Sequence, residues 1–267
     1  MKDLRIISLY SGSTGNSTLI ITKSSAILID AGKSARSLCA AIRGAGWDID
    51  RIDAIFVTHE HTDHISALEV LSKKHEIPIH MTEQTADHAR IVEGSPLSRR
   101  VVRHSPRFEV RVGENMTVRS FCTSHDSSMS VGYRVEIEDG DGGYAFGLAT
   151  DTGCVTDEIK CGLHGCDSVL IESNHDVDML RCGPYPAELK RRILSRTGHL
   201  SNEDCAALAV DLAIFGTRSF LLGHISEENN SPVGALETTS RALAAFDGVR
   251  VAVAKPDSET VIILCLK

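Results

Sequence analysis

Three histidines and an aspartate follow a short apolar run in the first quarter of the chain. After the run Ala54–Val57 come His59, His61, Asp63 and His64. Alternate residues of an extended segment share a face, so a strand ending near Val57 would present His59 and His61 to the same ion. The apolar residues that follow have helical spacing, which places Asp63 and His64 at a strand-to-helix turn. Two groups of ligands therefore predict two metal ions.

Further ligand-type residues follow three later apolar runs. They are His125, Asp151 and His224. Two ions that share a bridging hydroxide need about six or seven protein donors, and these residues complete such a set. Each alone is equally consistent with a structural role. Together they indicate a hydrolytic centre at the strand ends of a layered α/β fold.

This pattern resembles the H-x-H-x-D-H signature of the metallo-β-lactamase superfamily. The resemblance implies a four-layer αββα sandwich, one hydrolase domain over residues 1–267, and two groups of ligands that share a bridging Asp151. The first metal ion would be held by His59, His61 and His125. The second would be held by Asp63, His64 and His224. An Asp at the bridging position is typical of the phosphodiesterase and thioesterase branches, and His61 argues against the diiron branch.

Four other segments resemble the bacterial YycJ/WalJ (VicX) family, which is associated with exonuclease action on DNA. They are Ser11–Ser17, Glu172–Asp176, Gly198–Asn202 and Gly223–Asn230. Ile225 stands where Leu is expected, a conservative departure. The resemblance implies an exonuclease on double-stranded DNA ends that uses a metal-bridging hydroxide. The alternatives are a hydrolase of a small thioester or cyclic phosphodiester, and a metal-bound regulatory or scaffold protein.

Several of these side chains are candidates for chemistry beside the metals. Asp63 is suited to orient the nucleophile as well as to bind an ion. His199 or His175 is a candidate general acid near neutral pH, while the alternative for His199 is that it only organises its loop. Glu172 and Asn174 end an apolar strand, and we expect them to fix ligand imidazoles.

Small residues in the first loop form a candidate phosphate-binding segment. Ser11, Ser13 and Asn16 lie there between glycines, and exposed backbone N–H groups without bulk suit a phosphate. An ordinary turn between the first two strands explains the same glycines. The proposed role therefore rests on the family resemblance.

The charge of the chain restricts how it could bind DNA. A net charge of −8 gives no general attraction to a polyanion, so local patches must neutralise phosphates. Two basic stretches supply the candidates, although either is also consistent with an ordinary solvated face. The residues are Arg99, Arg100, Arg103, Arg191 and Arg192. Aromatic residues make up only 4% of the chain, which disfavours binding of splayed single strands.

Composition predicts a cytoplasmic enzyme that does not enter a membrane. No apolar stretch reaches the roughly 18 to 20 residues of a membrane span, and the eight scattered cysteines favour reduced thiols. A separate zinc site at Cys161, His164, Cys166 and Cys182 would lack paired C-x-x-C spacing. The ligand types admit Zn, Mn or Fe. The sequence does not determine the oligomeric state, the preference for DNA over RNA, or the polarity of cleavage.

Hydrophobic periodicity and turn signals predict the elements. Strands are expected near 4–10, 18–22, 25–30, 53–57, 78–81, 167–172, 217–223, 249–254 and 260–265, with a strand-rich stretch over 108–150. Helices are expected near 34–45, 63–74, 83–92, 186–196, 203–215 and 232–246. Ser201 and Pro232 mark two helix starts, and Gly140–Gly143 predicts a hairpin turn.

Overall fold

The computed structural model describes residues 4–139 and 142–262, within which the chain forms fourteen strands, ten α-helices and a short 3-10 helix at Ile49–Arg51. The strands are β1 (Arg5–Tyr10), β2 (Ser17–Ile21), β3 (Ala26–Ile29), β4 (Ala54–Phe56), β5 (Ile79–Thr82), β6 (Val101–His104), β7 (Glu109–Val112), β8 (Met116–Cys122), β9 (Val131–Asp139), β10 (Gly142–Ala149), β11 (Ser168–Glu172), β12 (Ser219–Gly223), β13 (Arg250–Val253) and β14 (Thr260–Ile262). The helices are α1 (Ala35–Gly44), α2 (Thr62–Ile65), α3 (Leu68–Lys74), α4 (Glu83–His88), α5 (Pro96–Arg100), α6 (Asp157–Leu163), α7 (Val177–Cys182), α8 (Ala187–Ile193), α9 (Asn202–Ile214) and α10 (Pro232–Ala242).

The strands form two mixed sheets of seven. The first has the order β14-β1-β2-β3-β4-β5-β6 and the second the order β13-β12-β11-β10-β9-β8-β7. Strands β3 to β6 are parallel, and so are β10 to β13. Parallel neighbours bring their carboxyl ends to one edge. The loops after β3 and β4 therefore meet in one place, as do those after β10, β11 and β12.

An apolar core joins the two sheets. Phe56 of the first sheet and Tyr133 and Phe146 of the second are fully buried in it, because their strands turn those side chains inward. The Tyr133 hydroxyl donates to the Val57 carbonyl at 2.6 Å, which satisfies a polar group inside this layer. The sheets therefore pack face to face.

Each sheet also packs helices against its outer face. One outer core contains Leu38 of α1 and Leu71 of α3, and the other contains Leu163 of α6 and Leu208 of α9. Helix, sheet, sheet and helix form four layers, as an α/β domain requires when both faces of each sheet are apolar. The predicted αββα sandwich is confirmed.

Several predicted elements differ from the observed ones. The helix expected over 63–74 is divided into α2 and α3, because Ser66 Oγ donates to the Gly32 carbonyl at 2.6 Å and the Ala67 N–H donates to the Ala31 carbonyl at 2.9 Å. Those bonds fix the chain to the loop after β3. Three other helices end earlier than expected. They are α4, α8 and α10, which were expected over 83–92, 186–196 and 232–246.

Some elements are missing from the prediction altogether. Periodicity does not reveal α5, α6 or α7, which have five to seven residues each. The caps were readable, since the side chains of Thr156 and Asp176 accept N–H bonds at the starts of α6 and α7. The strand β6 is an edge strand with two exposed residues at its centre, so it lacks a buried face to create an apolar pattern.

Other expectations are met or fall outside the described residues. Ser201 caps α9, and Pro232 is the first residue of α10. The hairpin predicted at Gly140–Gly143 includes residues 140 and 141, which lie outside the described residues, although β9 and β10 on either side pair antiparallel. Within residues 4–139 and 142–262 no helix has the length and apolarity to cross a bilayer. The single-domain assignment stays a prediction.

Candidate metal centre

Four strand ends position the candidate ligands. His59 and His61 follow β4, with His61 at the N-terminus of α2, and His125 follows β8. Asp151 and His224 follow the parallel strands β10 and β12. The predicted residues are thus brought to one edge of the two sheets.

The first group of ligands consists of three imidazoles. Nitrogens of His59, His61 and His125 lie within 4.8 Å of one another. His125 Nδ1 donates to the Gly198 carbonyl at 3.1 Å, which leaves Nε2 directed away from that bond. Such a second bond fixes the tautomer and orientation of a metal-binding histidine.

The second group is built around His64, which is fully buried. His64 Nε2 lies 3.4 Å from Asp63 Oδ2 and 3.4 Å from Asp151 Oδ2. His224 Nε2 lies 4.0 Å from Asp63 Oδ2. Asp63 Oδ2 therefore lies near both His64 and His224, beside the first group.

Asp151 lies between the two groups. Its Oδ1 is 3.9 Å from His125 Nε2, and its Oδ2 is 3.4 Å from His64 Nε2. The residue has φ of 54°, in the left-handed region that Asp tolerates better than most residues. His224 has φ of 55°. Strained backbone at two candidate ligands is typical of a site whose geometry is set by function.

The buried atoms of this cluster fit metal ions. His59 Nε2, Asp151 Oδ2 and His224 Nε2 have no hydrogen-bond partner among the described residues, although all three are buried. Unpaired buried polar atoms are costly, because nothing replaces the water they lose. A divalent cation accepts imidazole nitrogens and carboxylate oxygens together, so the residues present suit such an ion.

A carboxylate on the first sheet supports this cluster from behind, and sequence analysis missed it. Asp30 follows β3 and is 2% exposed. His64 Nδ1 donates to Asp30 Oδ2 at 2.8 Å. His59 Nδ1 lies 3.0 Å from Thr58 Oγ1, which donates to Asp30 Oδ2 at 2.9 Å. The signal was available, since Asp30 ends an apolar strand as Asp151 and Glu172 do.

Glu172, whose predicted role is to fix ligand imidazoles, makes the corresponding contacts from the second sheet. Its Oε1 accepts from His224 Nδ1 at 2.7 Å and from His199 Nδ1 at 2.8 Å. The backbone N–H groups of Thr152 and Leu200 donate to its Oε2 at 2.9 and 3.2 Å. Four bonds therefore fix this buried carboxylate.

The first loop contacts the ligands through side chains. Asn16 Nδ2 lies 3.2 Å from Asp63 Oδ2 and 3.1 Å from His64 Nε2. The His224 N–H donates to Ser11 Oγ at 2.9 Å, and Asn174 Nδ2 donates to the His224 carbonyl at 2.9 Å. Ser11 and Asn174 thus hold the His224 backbone.

Two glycines permit the close backbone approaches around these loops. A Cβ on Gly32 would lie 1.5 Å from the Asp63 carbonyl oxygen, so only glycine fits there. A Cβ on Gly153 would lie 2.4 Å from both the Ser195 oxygen and the Gly198 nitrogen. Gly153 therefore allows close packing against the segment after α8.

The chain is similar to known proteins. Residues 25–225 match the family model described as a beta-lactamase superfamily domain. The exodeoxyribonuclease YycJ of Bacillus anthracis is 36% identical over 240 residues, covering 88% of this chain and 87% of that protein. The exodeoxyribonuclease WalJ of Streptococcus pneumoniae serotype 2 is 36% identical over 244 residues, covering 90% and 88%. The chain belongs to the metallo-β-lactamase superfamily, in the family of YycJ and WalJ.

A solved structure gives the same fold. The metallo-beta-lactamase fold protein YhfI of Bacillus subtilis superposes with a TM-score of 0.70 at 16% identity, covering 97% of this chain and 100% of that one. Family membership confirms the predicted fold and the predicted class, a metal-dependent hydrolase of the metallo-β-lactamase superfamily. Its His/Asp cluster is a site for divalent metal ions.

The electrostatics of the cluster follow from burial and from neighbouring charge. Burial, together with the positive charges of neighbouring imidazoles, holds the pKa of His59 well below its usual value. At Asp63 the pKa is lowered, because the hydrogen bond and charge of His64 outweigh burial. At His224 burial is outweighed by Asp151 and Glu172, which raise the pKa to about 9. Strong carboxylate fields thus surround the histidines that Asp151 and Glu172 contact.

A cavity of about 260 Å³ opens beside the cluster. Its wall includes the candidate ligands His61, Asp63, His125, Asp151 and His224. Ser13, Asn174 and His199 also line it. His175 does not, and it is 1% exposed with neither ring nitrogen bonded to a described residue. Of the two predicted general acids, only His199 reaches the cavity.

Among the arginines predicted to contact nucleic acid, one lines the cavity and four do not. Arg192 lines the cavity, whereas Arg99, Arg100, Arg103 and Arg191 do not. Arg100 pairs with Glu76 at 2.7 Å, and Arg103 pairs with Asp87 at 2.5 Å.

The alternative zinc site is not assembled among the described residues. His164 Nε2 bonds Asp211 Oδ2 at 2.8 Å, and Arg134 Nη1 contacts Cys166 Sγ at 3.5 Å. These contacts give both residues structural roles.

Proposed function

We propose that the chain is a dinuclear metal-dependent phosphodiesterase of the cytoplasm, and specifically an exonuclease that acts on double-stranded DNA ends. The observation that carries the proposal is the convergence of seven candidate ligands, five of which line one cavity, with three buried atoms that lack partners among the described residues. The 36% identity to two exodeoxyribonucleases supplies the substrate class.

The ligands would divide between two divalent metal ions. The first candidates are Zn and Mn, and Fe is a further candidate. His59, His61 and His125 would hold the first ion. Asp63, His64 and His224 would hold the second, and Asp151 would bridge them. When bound, two such ions lower the pKa of a shared water and neutralise charge on the phosphoryl oxygens.

The remaining steps fall to side chains of the chain itself. Asp63 orients the attacking water through the oxygen that is not held by Asn16. His199 protonates the leaving oxygen. Because Glu172 accepts from His199 Nδ1, the other ring nitrogen is left for the cavity that His199 lines. Glu172 also stabilises the positive charge of the protonated ring.

Phosphate contacts beyond the metal ions come from basic side chains. Arg192 is the best placed, because it lines the cavity. The contacts predicted for Arg99, Arg100, Arg103 and Arg191 stay predictions, and the acidic partners of Arg100 and Arg103 weaken the case for those two.

The size of the cavity favours a second candidate function. A volume of about 260 Å³ would take a small cyclic phosphodiester or thioester whole. Hydrolysis of a small phosphodiester with a higher kcat/KM than that of any DNA substrate would favour this function.

The test is a nuclease assay on duplexes labelled at the 5′ or the 3′ end. Metal-stripped protein is resupplied separately with Zn and with Mn. We expect stepwise shortening from one end. No cleavage with either metal, at confirmed metal content, would overturn the proposal.

The matched control is Asp151→Asn, because Asn tolerates φ of 54° better than Ala. We expect it to lose metal and at least 100-fold in activity, since it removes the bridging charge. Retained cellular effects in a metal-free Asp151→Asn variant would instead favour a regulatory or scaffold role.

A further inference from the structure

One face of α8 forms the cavity wall that does not carry candidate ligands. Leu189, Arg192 and Ile193 share that face, since residues three and four apart lie on one side of a helix. Tyr185, in the turn before α8, lines the same cavity. The wall thus offers an aromatic ring, two apolar side chains and a guanidinium.

The guanidinium of Arg192 is held beside the first group of ligands. Arg192 Nε donates to Asp126 Oδ2, and Asp126 Oδ1 lies 3.4 Å from His125 Nε2. The arginine side chain is about half exposed, so its remaining N–H groups can donate to a ligand in the cavity. A guanidinium can bind a phosphate through two parallel bonds.

The α8 segment is attached at both ends, which makes it a defined wall. Lys190 of α8 donates from Nζ to the carbonyls of Arg181 and Gly183, which precede the helix, at 2.8 and 2.7 Å. After it, Ser124 Oγ donates to the Arg196 carbonyl at 2.8 Å. Ser124 is next to His125, so the wall and the ligands share one support.

We propose that Tyr185 and Arg192 position the terminal nucleotide of the DNA strand. Arg192 binds a phosphate next to the scissile one, and Tyr185 stacks on the terminal base. Asp126 holds Arg192 in the free enzyme and yields it to the phosphate. This inference rests on the proposed nuclease function.

The cavity volume agrees with one nucleotide at a time. About 260 Å³ is just below the range of roughly 300 to 1,000 Å³ for pockets that hold drug-sized ligands. A single nucleotide matches this volume better than a base pair does, which favours separation of the terminal base from its partner before cleavage. The proposed preference for duplex ends therefore becomes a preference for ends that fray.

Arg192→Gln tests the phosphate contact. We expect KM for DNA to rise about tenfold with kcat nearly unchanged, because a bond to a charged group is lost. The slope of log KM against log salt concentration should fall by roughly 0.7 to 0.9, the equivalent of one phosphate contact. The charge-matched control is Arg241→Gln in the last turn of α10, outside the cavity. Its KM and salt slope should equal those of the unaltered chain.

Asp126→Asn separates a binding role from an anchoring one. If Arg192 binds phosphate, this variant releases it from a competing carboxylate, and KM should stay the same or fall. If Arg192 only anchors α8, both variants should raise KM alike, which would overturn the inference. Metal content is measured in each variant because Asp126 adjoins His125.

Tyr185 is tested with a duplex that has an abasic terminal nucleotide. The unaltered chain should bind it roughly tenfold more weakly, since base stacking is lost. Tyr185→Leu should bind normal and abasic ends alike, and Tyr185→Phe should retain the difference. If the unaltered chain cleaves DNA yet Tyr185→Leu still discriminates, stacking is wrong while the nuclease function stands. Absence of all DNA cleavage would remove both.

Discussion

Two buried carboxylates stand behind the metal centre, one from each sheet. Asp30 from the first sheet supports His64 directly and His59 through Thr58. Glu172 from the second sheet supports His224 and His199. The first thus serves only candidate ligands, whereas the second serves one ligand and the candidate general acid.

Their electrostatic surroundings also differ. Burial raises the pKa of Asp30, because the one imidazole that bonds it and the Thr58 groups do not compensate. Burial acts on Glu172 in the same direction, but the charges of His199 and His224 outweigh it and lower the pKa. The imidazole partners thus outweigh the burial of Glu172 but not that of Asp30. The two supports should fail differently when neutralised.

Glu172→Gln should give the larger effect. The N–H donors of Thr152 and Leu200 keep the amide oxygen at Oε2, so the amide NH₂ must face His224 Nδ1 and His199 Nδ1. It would then donate to both rings and impose the tautomer with the proton on Nε2. We expect a loss of roughly 100- to 10,000-fold in kcat and of 10- to 100-fold in metal affinity.

The measurements for this variant are kcat at saturating metal and a metal titration. Glu203→Gln, in the first turn of α9, is the control for charge. A Glu172→Gln variant with normal kcat at saturating metal would contradict the role of Glu172 at His199.

Asp30→Asn should give a smaller and different effect. The Thr58 N–H keeps the amide oxygen at Oδ1, so the NH₂ faces His64 Nδ1 and Thr58 Oγ1. Metal affinity should fall 10- to 100-fold, as for other partners of ligand histidines. At saturating metal, kcat should recover to within about threefold, because no general acid depends on Asp30. A kcat deficit that excess metal does not restore would show that the two supports are equivalent.

The same pair shows what the sequence could reveal. Glu172 was predicted because it ends an apolar strand inside a segment that resembles the family, and Asp30 ends its strand in the same way without that resemblance. All seven candidate ligands were readable from strand ends and spacing, whereas the fold class was predicted mainly from the family resemblance. Arg192 could not be singled out from its basic run, because the face that α8 turns to the cavity depends on packing. The break between α2 and α3 likewise depends on bonds to residues 31 and 32.

His80 is a buried histidine that contacts another histidine instead of a carboxylate. His80 is 8% exposed, and its Nδ1 lies 2.9 Å from His104 Nε2. Burial and the charge of His104 lower the pKa of His80 to about 4, whereas the pKa of His224 is raised to about 9. The unfolded chain binds the proton of His80 more tightly than the folded chain does. The contribution of neutral His80 to the free energy of unfolding is thus complete above about pH 6.5 and is lost as the pH falls towards 4.

His80→Asn should therefore reduce the pH dependence of unfolding. Between pH 7 and pH 5 the unaltered chain should lose about 2 kcal/mol more stability than the variant, since only His80 is removed from the titration. Denaturant unfolding of both proteins, metal-stripped and at the two pH values, measures this difference. The subtraction cancels the metal ligands, because both proteins retain them. Equal losses would mean that His80 binds its proton as readily in the folded chain as in the unfolded one. The contrast between His80 and His224 would then need a cause other than burial without a carboxylate.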